Sequence, residues 1–292
     1  MGNVYDAMRR HESEQAEPES AAPGPETGGE SAAATDGRHE TVPTAEGLRR
    51  PRRPRLRTNG YAPELVAHND RGGSRAEEYR ALRTNLLAQY EKNRFCILVT
   101  SAEAAEGKTV TCLNLGFVLA ELPDRRTVVV DCDLQKSHFN TLLGTPPNPG
   151  VADVLRGEAT PEEALHETTC DNLLVMPAGE VAQEDVGELI SRPELEDLVS
   201  HLRKEYDYVL LDTPPIRVAG VRRRYRQSIS YSTAGILGRT AKDALVVVRM
   251  NKTKRESVEA ALRQLKSANV RPVGLVLTHQ RHVIPELLYR LF

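Results

Sequence analysis

The apolar run Phe95-Cys96-Ile97-Leu98-Val99-Thr100 leads directly into Ser101-Ala102-Glu103-Ala104-Ala105-Glu106-Gly107-Lys108-Thr109, and this succession restricts the fold more than any other feature of the chain. A short Val/Ile/Leu-rich strand is followed by a loop closing on Gly-Lys-Thr. Then comes a stretch from Val110 to Leu122 that is apolar at helical spacing. In a strand–loop–helix unit of this kind the loop turns its backbone N–H groups inward around an anion, and the helix aims its positive end at the same charge. Ala102, four spacers and Gly107-Lys108-Thr109 fit the phosphate-loop pattern with Ala at the first position. The reading is a nucleotide site cradled by Ala104, Ala105, Glu106, Gly107, Lys108, Thr109 and Val110. Lys108 reaches the β/γ oxygens and the Thr109 hydroxyl sits on Mg²⁺.

The rest of the globular part repeats the alternation. A helix is predicted over Ala76–Tyr90, with Tyr79, Leu82, Leu86 and Leu87 on one face. Strands are predicted at 95–100, 127–131, 173–177, 208–212, 244–248 and 273–278, with helices after Lys108, over 193–204 and over 255–268. Strands that alternate with helices imply an α/β fold, a mostly parallel central sheet with helices on both faces. Right-handed crossovers then leave the strand C-termini lining one crevice. Two strands end in acid there, Thr127–Val130 in Asp131-Cys132-Asp133 and Val209–Leu211 in Asp212-Thr213-Pro214-Pro215. Such carboxylates converge on the phosphate-loop edge, where Mg²⁺ takes few protein oxygens and keeps several waters. Thr109 with Asp133 or Asp131 approaches the metal, Asp212 holds it through water, Lys108 neutralises the transferring phosphoryl group, and Asp131 is placed to accept a proton.

The chain has 292 residues and a formal net charge of -2, a balance that by itself argues neither for nor against nucleic acid; no nucleic-acid partner is expected. Residues 1–60 form one region and 61–292 the nucleotide domain. From His11 to about Gly60 the sequence is rich in Glu, Ala, Pro, Gly, Ser and Thr, too polar to repay ordering entropy, and is expected to be disordered. Ahead of it Val4, Tyr5, Ala7 and Met8 could form one amphipathic turn. The run Arg49–Arg57 admits two readings, a contact for anionic lipid or an acidic partner and a solvated basic linker. Cys96, Cys112, Cys132 and Cys170 form no Cys-x-x-Cys pair and read as free buried thiols, which suits a reducing compartment. No membrane span or signal-peptide core is visible. Asp6 stands where a myristoylation signal needs Ser or Thr.

In this order, the elements resemble the cytoplasmic kinase domain of the bacterial tyrosine kinases of polysaccharide export, a branch of the phosphate-loop ATPases that includes the septum-site and plasmid-partition ATPases. The resemblance covers roughly Ala76 to Thr278. It rests on Glu106-Gly107-Lys108-Thr109, on Asp131-x-Asp133, on Tyr206–Pro215, and on Glu77, Arg80 and Arg83 in the family's Glu-x-x-Arg-x-x-Arg helix. Met1–Met8 also resembles the short opening segment of many members. The resemblance implies ATP and Mg²⁺ as cofactors and tyrosine autophosphorylation that controls polymerisation and export of exopolysaccharide. It further implies a homo-oligomeric ring with contacts at Glu77, Arg80 and Arg83, and a membrane adaptor of the polysaccharide co-polymerase type. The expected location is the cytoplasm, with recruitment to the inner face of the membrane. Glu103 occupies the loop position where the partition and septum ATPases carry a lysine that crosses to a partner's phosphates, which argues for the kinase branch.

The chain also departs from that pattern. Ala104-Ala105 replaces Pro-Gly, a costly exchange if the glycine's φ is positive. Gln135 stands at an Arg position, and the connection from Ile216 to Ser232 is longer than usual and offers Tyr225 and Tyr231. The C-terminal tyrosine cluster is absent, leaving Tyr289 among Ile284, Leu287, Leu288 and Leu291. Two further functions therefore stay open, a nucleotide-dependent ATPase switch without kinase activity and an inactive nucleotide-binding scaffold.

Overall fold

The computed structural model describes residues 60–216 and 228–280. The N-terminal tail with its basic run, most of the 216–232 connection and the segment around Tyr289 lie outside the described residues. The chain enters through α1 (Val66–Asn69) and α2 (Ser74–Leu87), followed by β1 (Phe95–Ser101), α3 (Lys108–Ala120) and β2 (Thr127–Asp131). Two short helices, α4 (Phe139–Leu143) and α5 (Val151–Arg156), precede β3 (His166–Glu167) and β4 (Leu173–Met176). Then come α6 (Val186–Ser191), α7 (Glu194–Glu205), β5 (Tyr208–Asp212), α8 (Ser228–Ala241), β6 (Asp243–Arg249), α9 (Arg255–Ser267) and β7 (Arg271–Thr278). The sheet runs β3-β4-β2-β5-β1-β6-β7. Every neighbouring pair is parallel except β3 with β4. The α/β fold with a mostly parallel sheet is thus the observed one.

Alternation along each strand sorts its side chains between two cores. Cys96 and Leu98 of β1, with Val209 and Leu211 of β5, face one layer. Phe95, Ile97 and Val99, with Tyr208 and Leu210, face the other. The helices behave as their periodicity requires. Leu195, Leu198, Val199 and Leu202 line the buried side of α7. Helix α3 is buried nearly all round and has no polar face to show water.

Predicted and observed elements differ mainly at their ends. The first long helix stops at Leu87, because Tyr90 turns off to donate from its hydroxyl to Asp243, which Arg271 also grips. β4 stops at Met176, one residue before Pro177. Helix α8 already runs from Ser228, so the end of the unusual connection is helical. The antiparallel pair β3 and the short α1, α4, α5 and α6 gave too little periodic sequence to be read. In the β2-β5-β1 order the register places Asp131 opposite Asp212 and Asp212 opposite Val99. Both acidic strand ends therefore meet beside the loop that follows β1.

Candidate nucleotide site

Gly107 caps α3 at φ +90, a left-handed conformation that glycine adopts freely, and no side chain caps the helix. The backbone N–H groups from Ala104 to Val110 donate to no acceptor among the described residues. An open helix start with unspent donors suits a polyphosphate. Ala105 is held at φ +61, a backbone conformation that favours glycine. Ala105→Gly is expected to raise the melting temperature by about 1–3 °C without loss of Mg-ADP binding, the released strain exceeding the entropy that glycine adds to the unfolded chain. A thermal melt and a Mg-ADP titration of the two proteins check it.

Lys108 lies buried along the first turn, with Nζ 3.0 Å from Asp133 Oδ2, 3.7 Å from Asp212 Oδ1 and 3.5 Å from Thr109 Oγ1. Burial works against its charge, but Asp212 and Asp133 outweigh it and hold the ammonium well above the usual lysine range. Asp131 is wholly buried. Its Oδ1 accepts the Asp133 N–H at 3.0 Å and its Oδ2 accepts the Ser137 hydroxyl at 2.7 Å. Burial and then the Asp212 charge push the Asp131 carboxyl far up. Burial also raises Asp212, to about 6, against the opposing pull of Lys108 and of the Thr109 hydroxyl that faces it.

These residues fit Mg²⁺ and a nucleotide. Three buried carboxylates share one ammonium, and Asp212 Oδ1 has no hydrogen-bond donor. The surplus negative charge and the all-oxygen donor set suit a hard dication. Among the described residues no three acidic, His or Cys side chains form a cage by themselves. The remaining oxygens must come from a ligand and water, as Mg²⁺ prefers.

The sequence reading placed Lys108, Thr109, Asp131, Asp133 and Asp212 together, and the fold brings them together. It keeps Glu77, Arg80 and Arg83 away from them, at the far end of α3. There Arg80 donates two bonds to Glu121 (2.8 and 2.6 Å), and Arg83 reaches Glu121 and the Val118 carbonyl. Glu77 pairs with Arg80. Glu121 follows the last turn of α3, so both cations also meet the negative end of its dipole. Sequence reasoning missed Ser137, Arg249, Thr253, Ser257 and Thr278. The only signal among them is that Arg249 and Thr278 end parallel strands on the site's edge.

The AAA domain family matches residues 96–221. The chain is 27% identical over 239 residues to tyrosine-protein kinase Wzc of Salmonella typhimurium, a match covering 82% of this chain and 30% of Wzc. It is 26% identical over 235 residues to tyrosine-protein kinase YwqD of Bacillus subtilis, covering 80% of this chain and 91% of YwqD. Its fold matches the kinase domain of the Escherichia coli tyrosine kinase ETK with a TM-score of 0.67 at 24% identity, covering 78% of this chain and 85% of that one. The chain thus spans less than a third of Wzc but nearly all of YwqD. The resemblance to bacterial tyrosine kinases holds in sequence and in fold.

Proposed function

We propose that this chain, similar in sequence to the bacterial tyrosine kinases and alike in fold, is an ATP-dependent protein tyrosine kinase that phosphorylates its own kind. Its role in the cell is control of exopolysaccharide or capsule polymerisation and export. It works beside a membrane adaptor of the polysaccharide co-polymerase type, as a homo-oligomer at the inner face of the cytoplasmic membrane. Among the described residues no helix is long and apolar enough to cross a membrane. The observation that carries the reading is Lys108 held between Asp133 and Asp212 at the open start of α3.

The residues divide the work in a simple way. The loop N–H groups from Ala104 to Val110 bind and orient the phosphates. Lys108 exchanges its carboxylate partners for the transferring phosphoryl group. Thr109, Asp133 and Asp212 are the residues that would hold Mg²⁺, which would supply charge neutralisation on the phosphate oxygens. The departure of Lys108 frees Asp133 Oδ2 to accept the proton of an attacking hydroxyl. Asp131 was expected in that role, but both its oxygens are engaged inside the protein. It orients Asp133 through the main chain instead.

The tyrosines narrow the acceptor. Tyr61, Tyr206 and Tyr208 are buried, Tyr90 donates to Asp243, and Tyr79 is partly buried against the second core. That leaves Tyr5, Tyr225, Tyr231 and Tyr289, whose side chains lie outside the described residues. Mass spectrometry of the purified chain after incubation with Mg-ATP is expected to find phosphotyrosine at one of these four. ATP turnover in the same sample without any phosphotyrosine would overturn the kinase reading. It would favour the ATPase switch.

A further inference from the structure

From Ala104 to Val110 the phosphate loop spends none of its backbone N–H groups on the protein's described residues, yet it is not loosely held. The Glu106 side chain is only 2% exposed. Its Oε2 accepts the Glu103 N–H at 2.7 Å. Its Oε1 accepts the Arg249 N–H at 3.3 Å and the Thr253 hydroxyl. The Glu106 carbonyl accepts the Thr278 hydroxyl at 2.7 Å, and the Arg249 guanidinium reaches the Ala105 carbonyl at 3.4 Å. In the first turn of α9, the Ser257 hydroxyl donates to the Glu103 carboxylate at 2.9 Å. Every one of these bonds except that from the Glu103 N–H takes a donor from the stretch Arg249–Ser257 or from the end of β7. The acceptors are carbonyl and carboxylate oxygens of the loop. The attachment therefore fixes the backbone by its oxygens and leaves the N–H side from Ala104 to Val110 free.

We propose that Glu106 and Thr253 form a latch that holds the phosphate loop in its nucleotide-binding shape. Both are then positioning residues, acting through the loop backbone and not on the phosphates. The proposal rests on the nucleotide reading of the site. It assigns the segment Arg249–Ser257, outside every motif in the sequence, to the binding apparatus. The latch also accounts for the tolerance of Ala104-Ala105, because a loop stiffened from outside can hold Ala105 at a φ that the residue alone disfavours.

The test is a calorimetric titration of the full chain with Mg-ADP, run on wild type, Glu106→Gln, Thr253→Val and Thr253→Ser, with nucleotide-free melting temperatures beside it. Wild type binds, Thr253→Val and Glu106→Gln bind about tenfold or more weakly, and Thr253→Ser recovers to within about twofold, since each loss removes a hydrogen bond to a charged group. In turnover, Thr253→Val raises KM for ATP and leaves kcat within about twofold, the signature of lost binding. The proposal is overturned if Thr253→Val binds like wild type. It is also overturned if Thr253→Ser is as weak as Thr253→Val and both melt lower, because the hydroxyl is then irrelevant. Failure of wild type to bind Mg-ADP would remove the nucleotide reading itself, and the latch with it.

Discussion

Lys108→Met is expected to abolish nucleotide turnover and to lower the melting temperature of the nucleotide-free protein by roughly 6–15 °C at pH 8, with a much smaller loss at pH 5.5. Among the described residues the ammonium is the only cation paired with Asp131, Asp133 or Asp212, bonded to Asp133 at 3.0 Å and paired with Asp212 at 3.7 Å. Removing one partner of a buried pair costs about 3–5 kcal/mol, because the other charge stays buried. The pH dependence follows from the carboxyls. Asp212 is raised to about 6 and Asp131 well above its usual range, so each destabilises the folded chain only where it must ionise. That cost is absent below the unfolded value near 4 and grows as pH rises through the folded values. Without Lys108 the folded values climb further, and protonation discharges the surplus charge at pH 5.5 but not at pH 8. Melting curves at pH 5.5, 7 and 8 decide the matter, and an equal drop at all three would refute the argument. The result also bears on the obvious inactive control, which has to be checked for folding before its lack of activity is interpreted.

Asp131→Asn is expected to move stability the other way. The melting temperature of the nucleotide-free protein rises by about 2–6 °C at pH 8 when a buried, unpaired charge is neutralised without change of shape. The Asn carbonyl can keep the Asp133 N–H, and its amide can donate to the Ser137 hydroxyl, so both existing contacts survive. The gain accumulates from pH 4 upward to the raised native value and disappears below, where the wild-type carboxyl is protonated in both states. Turnover falls by about 10–100-fold, the usual loss when a group that orients a metal-side ligand is altered. Thermal melts across pH together with steady-state turnover test both halves. A variant that is less stable at pH 8 would mean that the Asp131 charge is compensated by something other than Lys108.

The parallel sheet was readable because β1, β2, β5 and β6 are continuous apolar runs, which only a sheet covered on both faces makes comfortable. The site was readable for a related reason: Gly107-Lys108-Thr109 and the three acids sit at strand ends, where topology rather than packing decides the neighbours. Ala105 was legible as a condition, and its φ of +61 met that condition. What stayed hidden depends on contacts far apart in sequence. Thr253 meets Glu106, 147 positions away, and Arg80 meets Glu121, 41 positions away. Neither hydroxyl nor guanidinium announces its partner by spacing. The division of labour between Asp131 and Asp133 was hidden too. Two carboxylates two positions apart look alike until one turns inward to Ser137 and the other outward to Lys108.

Helix α3 joins the phosphate loop to Glu121, and eleven of its residues are buried: Lys108, Thr109, Thr111, Cys112, Leu113, Asn114, Leu115, Gly116, Phe117, Val118 and Leu119. At Gly116 even a methyl group would come within 2.6 Å of Val129, so the helix rests directly on the sheet. A rod clamped along its length neither tilts nor bends under load, but it carries thrust along its axis. Arg80 and Arg83 at one end and the loop at the other thus share one rigid element about 20 Å long.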